Sequence, residues 1–299
     1  MTREFGGDLV PAPRSYGMVD LVLAARAELA EGPCWLDGEL LWVDTPRGEV
    51  HWTDIRRGRD VVARFGRHLG VVVPADDGTY LAATDEGFAV IDGDRLDVHD
   101  PVAAGPGLLM NDGKCDAAGR FWASVNGSEE EPGRGTLRVW APGRPSRLVD
   151  EGFTLLNGIG WSPDDTIMYV VDSVARRLYA YEYDLETGDA GMRETLRHFD
   201  DIPGLPDGLA VDAEGCLWVA FYAGSCLLRL APSGRTIARI GMPVSRPTSC
   251  AFGDGTDLYV TSAREGLSAD QLHSEPLAGS LWRIDAGVAG APVAAAAPR

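Results

Sequence analysis

One short pattern returns six times along this chain, and that repetition constrains the fold more than any other feature of the sequence. A turn of Gly or Asp type leads into an alternating strand that ends on a small or polar residue. The copies are GELLWVD at 38–44, GTYLAAT at 78–84, GRFWASV at 119–125, DTIMYVVD at 165–172, GCLWVAF at 215–221 and DLYVTSA at 257–263. Each carries an apolar or aromatic anchor: Trp42, Leu81, Trp122, Tyr169, Trp218 and Tyr259. The anchors stand about 39, 41, 47, 49 and 41 residues apart, which is the period of a four-stranded propeller blade.

A second strand follows most anchors, as in GEVHWTDI at 48–55, GFAVID at 87–92, GTLRVW at 135–140 and GSLWRID at 279–285. Period-2 alternation bounded by Gly, Asp and Pro is the mark of hairpin strands, and convincing amphipathic helices are scarce, which disfavours α/β layering. One small antiparallel sheet cannot bury both faces, whereas sheets stacked radially cover one another. The expected fold is therefore all-β, a six-bladed β-propeller over 20–288. The stretch DLVLAARAEL at 20–29 is expected to complete the last blade. Residues 1–19 read as a partly flexible N-terminal extension, and the Ala- and Pro-rich stretch 289–299 as a flexible tail that frays.

At 299 residues the chain suits one domain of this kind. Its formal charge of −18 opposes phosphate backbones and anionic lipid, so nucleic-acid and membrane partners are not expected and a small-molecule substrate is. No window approaches the run of about 20 apolar residues that spans a bilayer, and the N-terminus lacks the apolar core of a signal peptide. A cytoplasmic protein is expected; oligomeric state is not legible. The five cysteines, odd in number and set among apolar neighbours, read as small buried hydrophobes rather than a disulfide framework.

Positions at one phase of a repeat lie on one ring around the channel axis. About eleven or twelve residues before each anchor stand Glu31, Gly70, Asn111, Asn157, Asp207 and Thr248. Their settings, AEGPCW, MNDGKCD, LNGIGWSPD and PDGLAVD, each place the polar residue directly before Gly or one residue short of it, a pattern that singly reads as a plain turn. Two carboxylates and two amides converging in phase form a hard oxygen site, suited to Ca²⁺, Mg²⁺, Mn²⁺ or Fe²⁺ better than to a structural zinc, with catalytic Zn²⁺ kept among the candidates. Without a cation, Glu31 and Asp207 would repel each other in a narrow channel. A divalent ion with few protein ligands keeps open positions for hydrolytic chemistry, with Asp207 taking the proton of the attacking water and Asn111 orienting the substrate oxygen. Lys114, just after the ND-Gly motif, reads as a partner for Asp116.

The segments AEGPCW, MNDGKCDAAGRFWAS, LLNGIGWSPD, LPDGLAVDAEGCLWVA, RPTSCAFG and TSAREGLSADQLHSEPLAGSLWRID together resemble the regucalcin, gluconolactonase and luciferin-regenerating-enzyme family, in order, over about 28–285. The resemblance implies a six-bladed propeller with one catalytic divalent ion, usually hydrolysing sugar lactones. It places the metal ligands on Glu31, Asn157 and Asp207, the general base on Asp207, and a contact to substrate and to the metal's water on Asn111. The chain departs from the pattern where sugar lactonases commonly carry a substrate-gripping Arg, because Leu109 stands there and makes the pocket greasier. It departs again at Ser124, Val125 and Asn126 and at Tyr222, Ala223 and Gly224. Leu109, Asn126 and Tyr222 are therefore read, with Asn111, as substrate-facing positions for a lactone less polar than a sugar lactone. Two other readings stand beside this one. The first is a different reaction on the same metal, such as phosphotriester hydrolysis or a cyclisation or rearrangement in a specialised biosynthetic pathway. The second is a non-catalytic propeller that binds partners on its faces.

Overall fold

The computed structural model describes residues 16–296, so the expectation of a flexible extension falls mostly outside the described residues. Among those residues the chain forms twenty-five strands and one short helix, Ala269–Ser274, and no helix is long and apolar enough to cross a membrane. The strands make six sheets, five of them meanders of four and the fourth in sequence widened by a two-residue side strand, Asp189–Ala190. The inner strands of blades one to six are Ala30–Leu36, Leu69–Pro74, Leu108–Cys115, Leu156–Trp161, Leu205–Val211 and Pro247–Phe252. Each packs beside the next and the sixth packs beside the first, so the ring closes.

All six anchors fall on the second strand of their blades, and each is 2% exposed or less. Their burial between neighbouring sheets is what makes a stack of small sheets stable. The turn leading into the anchor strand is fixed by a side chain. Asp116 accepts from the backbone N–H groups of Ala118 and Arg120 through Oδ1, both at 3.0 Å, and from the indole of Trp122 through Oδ2 at 2.8 Å. Asp212 repeats the arrangement two blades on, with Glu214, Cys216 and Trp218. The Asp before the turn and the Trp of the anchor are thus one hydrogen-bonded unit.

Ring closure follows the sequence reading, over a shorter strand. Asp20–Leu23 pairs antiparallel with Leu281–Asp285 and makes the outer strand of blade six, while Leu29 only bridges to Ala263. Within the described residues the tail is hydrogen-bonded to two blades. On blade five Ala213 N–H donates to Ala289 at 2.9 Å and Ala291 N–H to Val211 at 3.0 Å; on blade two Ala296 N–H donates to Pro74 at 2.8 Å and Asp76 N–H to Ala296 at 3.1 Å. Blades two and five are opposite in a ring of six, so residues 289–296 cross the channel mouth as a strap. Small side chains let this backbone lie close enough to use peptide groups that the strand ends leave unpaired.

Lys114 does not pair with Asp116, whose carboxylate is taken by Arg120, Trp122 and Tyr183. Its side chain sits on the channel side of the inner strand and Nζ donates to the carbonyl of Leu209 at 2.8 Å. The five cysteines are all free, four buried and Cys34 half-buried, and burial pushes the Cys34 thiol up to about 11 and that of Cys250 up to about 12.

A candidate metal centre at the head of the channel

The polar ring sits where every inner strand is interrupted. Pairing between the inner and second strands slips between Glu31 and Cys34, Leu69 and Val71, Met110 and Gly113, Leu156 and Ile159, Pro206 and Leu209, and Pro247 and Cys250. Each in-phase position lies at one of these bulges. A bulge sets extra residues against the partner strand and re-aims side chains, so polar groups leave the sheet-to-sheet packing and turn to the axis. The Asx-Gly pairs that read as turns are therefore strand residues at bulges. Glycine is needed there because the inner strands nearly touch. A Cβ on Gly70 would lie 2.2 Å from the backbone oxygen of Asn111, and one on Gly208 would lie 2.0 Å from Oγ of Ser249.

Three buried carboxylates on this ring, Glu31, Asp207 and Asp112, lie near enough to feel one another's charge, although their oxygens do not all fall within 4.8 Å of one another. All three residues are less than a tenth exposed. Burial, and then the charges of Asp207 and Asp112, hold the carboxyl of Glu31 well above its ordinary range. Asp207 is raised for the same reasons, burial first and Asp112 second. Burial raises Asp112 too, against the opposing pull of Lys114 and of the Gly113 N–H, which donates to Oδ1 at 2.7 Å. One ammonium against three carboxylates leaves an uncompensated charge of about two in a low-dielectric pocket, which is costly unless a cation or protons join it.

The amides complete the constellation. Asn157 donates from Nδ2 to Ser173 Oγ at 2.7 Å, which fixes its oxygen, and that oxygen accepts from Nδ2 of Asn111 at 2.7 Å. Asn111 also donates to the carbonyl of Leu156 at 3.0 Å. Thr248, at the same phase of blade six, donates to Ala30 at 2.6 Å and braces the strand carrying Glu31.

The substrate-facing expectations divide. Leu109 is half-buried on the same strand as Asn111. Tyr222 is half-buried beside the ring, feels the charge of Asp207, and accepts from Arg246 at 2.8 Å with that guanidinium 5.0 Å from its ring centre. Asn126 is fully buried, and its amide is consumed by the next blade: Nδ2 donates to Leu156 O at 3.1 Å and Oδ1 accepts from Leu156 N–H at 3.1 Å. It clamps blade three to blade four rather than facing the channel. Asp112, in turn, was not singled out by repeat phase. In a regular strand the neighbour of an axis-facing Asn points away; at the bulge between Met110 and Gly113 both Asn111 and Asp112 escape that alternation.

Asp212, Glu214 and Cys216 are the one trio of carboxylate or thiol groups among the described residues whose ligand atoms all lie within 4.8 Å of one another. Their cation is already present. Arg229, fully buried, reaches Asp212 at 2.6 Å and Glu214 at 2.8 Å, so this trio is the anionic half of a structural ion pair.

The family model described as SMP-30/Gluconolactonase/LRE-like region matches residues 29–264. The chain belongs to this family. It is 34% identical to a regucalcin of Danio rerio over 286 residues, covering 92% of this chain and 96% of the relative. It is 32% identical over 275 residues to YvrE of Bacillus subtilis (strain 168), a candidate sugar lactone lactonase by name, covering 88% of this chain and 94% of that one. Among solved structures, a calcium-binding protein, regucalcin, from Agrobacterium tumefaciens (strain C58) superposes with a TM-score of 0.88 at 27% identity, covering 95% of this chain and 98% of that one. The SMP-30/gluconolactonase match spans the bulges of blades one to six, so all of the ring lies within it.

Proposed function

We propose that the protein is a divalent-metal-dependent hydrolase that opens a lactone at the head of the channel. Glu31, Asn157 and Asp207 would hold one divalent ion. The donor set fits: two buried carboxylates held away from their ordinary range, plus an amide oxygen fixed by Ser173, are oxygen donors suited to a hard cation. The single observation carrying this reading is that uncompensated negative charge, which a divalent cation would neutralise. The calcium-binding description of the Agrobacterium regucalcin and the lactonase name of the Bacillus relative support it.

An ion held there would polarise a carbonyl oxygen and make water a stronger acid. The remaining work belongs to side chains. Asp207, buried at the ring, would take the proton of the attacking water and return it to the ring oxygen as the lactone opens. Asn111 orients the substrate oxygen from its place against Asn157. Leu109 offers an apolar side chain where a guanidinium would grip hydroxyls, which favours a lactone less polar than a sugar lactone.

Purified protein supplied with Ca²⁺, Mg²⁺, Mn²⁺, Zn²⁺ or Fe²⁺ and a panel of lactones ranging from sugar-like to alkyl-substituted should release acid, most rapidly with the less polar members. Loss of that release in Asp207→Ala is expected, and no metal-dependent turnover on any lactone would remove the proposal. Phosphotriester hydrolysis, a cyclisation and a purely scaffolding role find no support in the relatives.

A further inference from the structure

The channel continues beneath the polar ring into a chamber of about 670 Å³ at the other end of the inner strands. Pockets of several hundred Å³ with mostly apolar walls and a few fixed polar groups are the usual form of small-molecule sites. Trp35, Trp161 and Phe252, at or near the ends of the inner strands of blades one, four and six, line it, and the strap of residues 289–294 forms part of its wall. Trp35 is already held, stacked on Tyr259 at 5.1 Å with its indole N–H on Asp254 at 3.0 Å. Trp161 is 8% exposed and its Nε1–H has no acceptor among the described residues.

Charge decides the class of occupant. Among the described residues, the one cationic side chain lining the chamber, Lys114, lies at its inner end against Asp112 and the carbonyl of Leu209. Asp254 is committed to Trp35 and Arg56. Asp165, in the turn after Trp161, lines the chamber too, and its carboxylate has no hydrogen-bond or ion-pair partner among the described residues. An unpaired carboxylate beside aromatic rings attracts a cation through both its charge and the ring faces.

We propose that this chamber, which adjoins the metal centre at Asp112, is a second ligand site that takes a small organic ammonium ion with an apolar body at its far end. The ammonium pairs with Asp165, and the body lies against Trp35, Trp161 and Phe252. The site needs no turnover at the metal centre and does not depend on the lactonase reading.

The test uses three probes of similar size, 4-phenylbutylamine, 4-phenylbutanol and 4-phenylbutyrate, titrated calorimetrically into full-length protein saturated with Ca²⁺. The amine is expected to bind one per chain and more tightly than the alcohol, with the carboxylate weakest. Asp165→Asn should weaken the amine about fivefold, the scale of one partly exposed ion pair, and leave the alcohol unchanged. Asn tolerates the positive φ of 54° at this position, so the variant keeps the turn. Ala117→Trp, at an exposed position lining the chamber, should weaken binding of both amine and alcohol. Absence of saturable amine binding, carboxylate binding as tight as amine binding, or amine affinity unmoved by Asp165→Asn would each overturn the proposal.

Discussion

Nδ2 of Asn111 donates to Oδ1 of Asn157 across 2.7 Å, joining the inner strands of blades three and four at the head of the channel. With Ser173 holding the other end of the Asn157 amide, the oxygen of Asn157 has one orientation and a lone pair left over. The pair thus couples the residue proposed to orient substrate to one proposed to hold the ion.

Removing that donor should hurt turnover more than metal binding. Asn111→Ala is expected to lower kcat about 100-fold, the scale seen when one preorganised donor is lost, while metal affinity falls by less than about tenfold because Ser173 still fixes Asn157. Steady-state kinetics and metal titration on the same preparation check this.

Close approach of neighbouring strands makes a remote glycine matter. Gly70→Ala would place a methyl 2.2 Å from the backbone oxygen of Asn111, so the bulge carrying Asn111 and Asp112 must shift. A loss of about 1–3 kcal/mol in denaturant unfolding is expected from such overpacking, with a larger proportional loss of activity than of stability.

The sign of the pH dependence follows from the raised carboxyls of Glu31 and Asp207. In metal-free protein the native state holds protons that the unfolded chain releases, so stability declines as pH rises above the ordinary carboxyl range toward the raised native values. Glu31→Gln should flatten that decline and raise the midpoint of metal-free thermal unfolding at neutral pH. Melting curves across pH, with chelator and then with metal, check this; metal should stabilise the wild type and have little effect on the variant.

Arg229 supplies a contrast, because its anionic partners already have their cation. Arg229→Met should cost about 3–5 kcal/mol by leaving Asp212 buried without a counter-charge, while metal stoichiometry at the channel head stays unchanged. Chemical denaturation and metal titration separate the two effects.

Much of this molecule was legible from spacing alone. Trp42, Leu81, Trp122, Tyr169, Trp218 and Tyr259 marked the blades because an anchor buried between sheets must be large and must recur once per sheet. Glu31, Asn111, Asn157 and Asp207 shared a phase and a bulge. What spacing did not show was local geometry. Asp112 joins the ring because a bulge breaks strand alternation, and Asn126, read as substrate-facing, has its amide taken by the backbone groups of Leu156. The strap was not legible for a similar reason: composition counts side chains, whereas residues 289–296 make their bonds through peptide groups.

Isothermal titration of Ca²⁺ and Mn²⁺ into chelator-treated wild type, Glu31→Gln and Asp207→Ala puts the charge argument to its most direct test. One ion per chain in the wild type, with binding lost or weakened at least about 100-fold in both variants, is the predicted result. An affinity and stoichiometry unchanged by either substitution would contradict it.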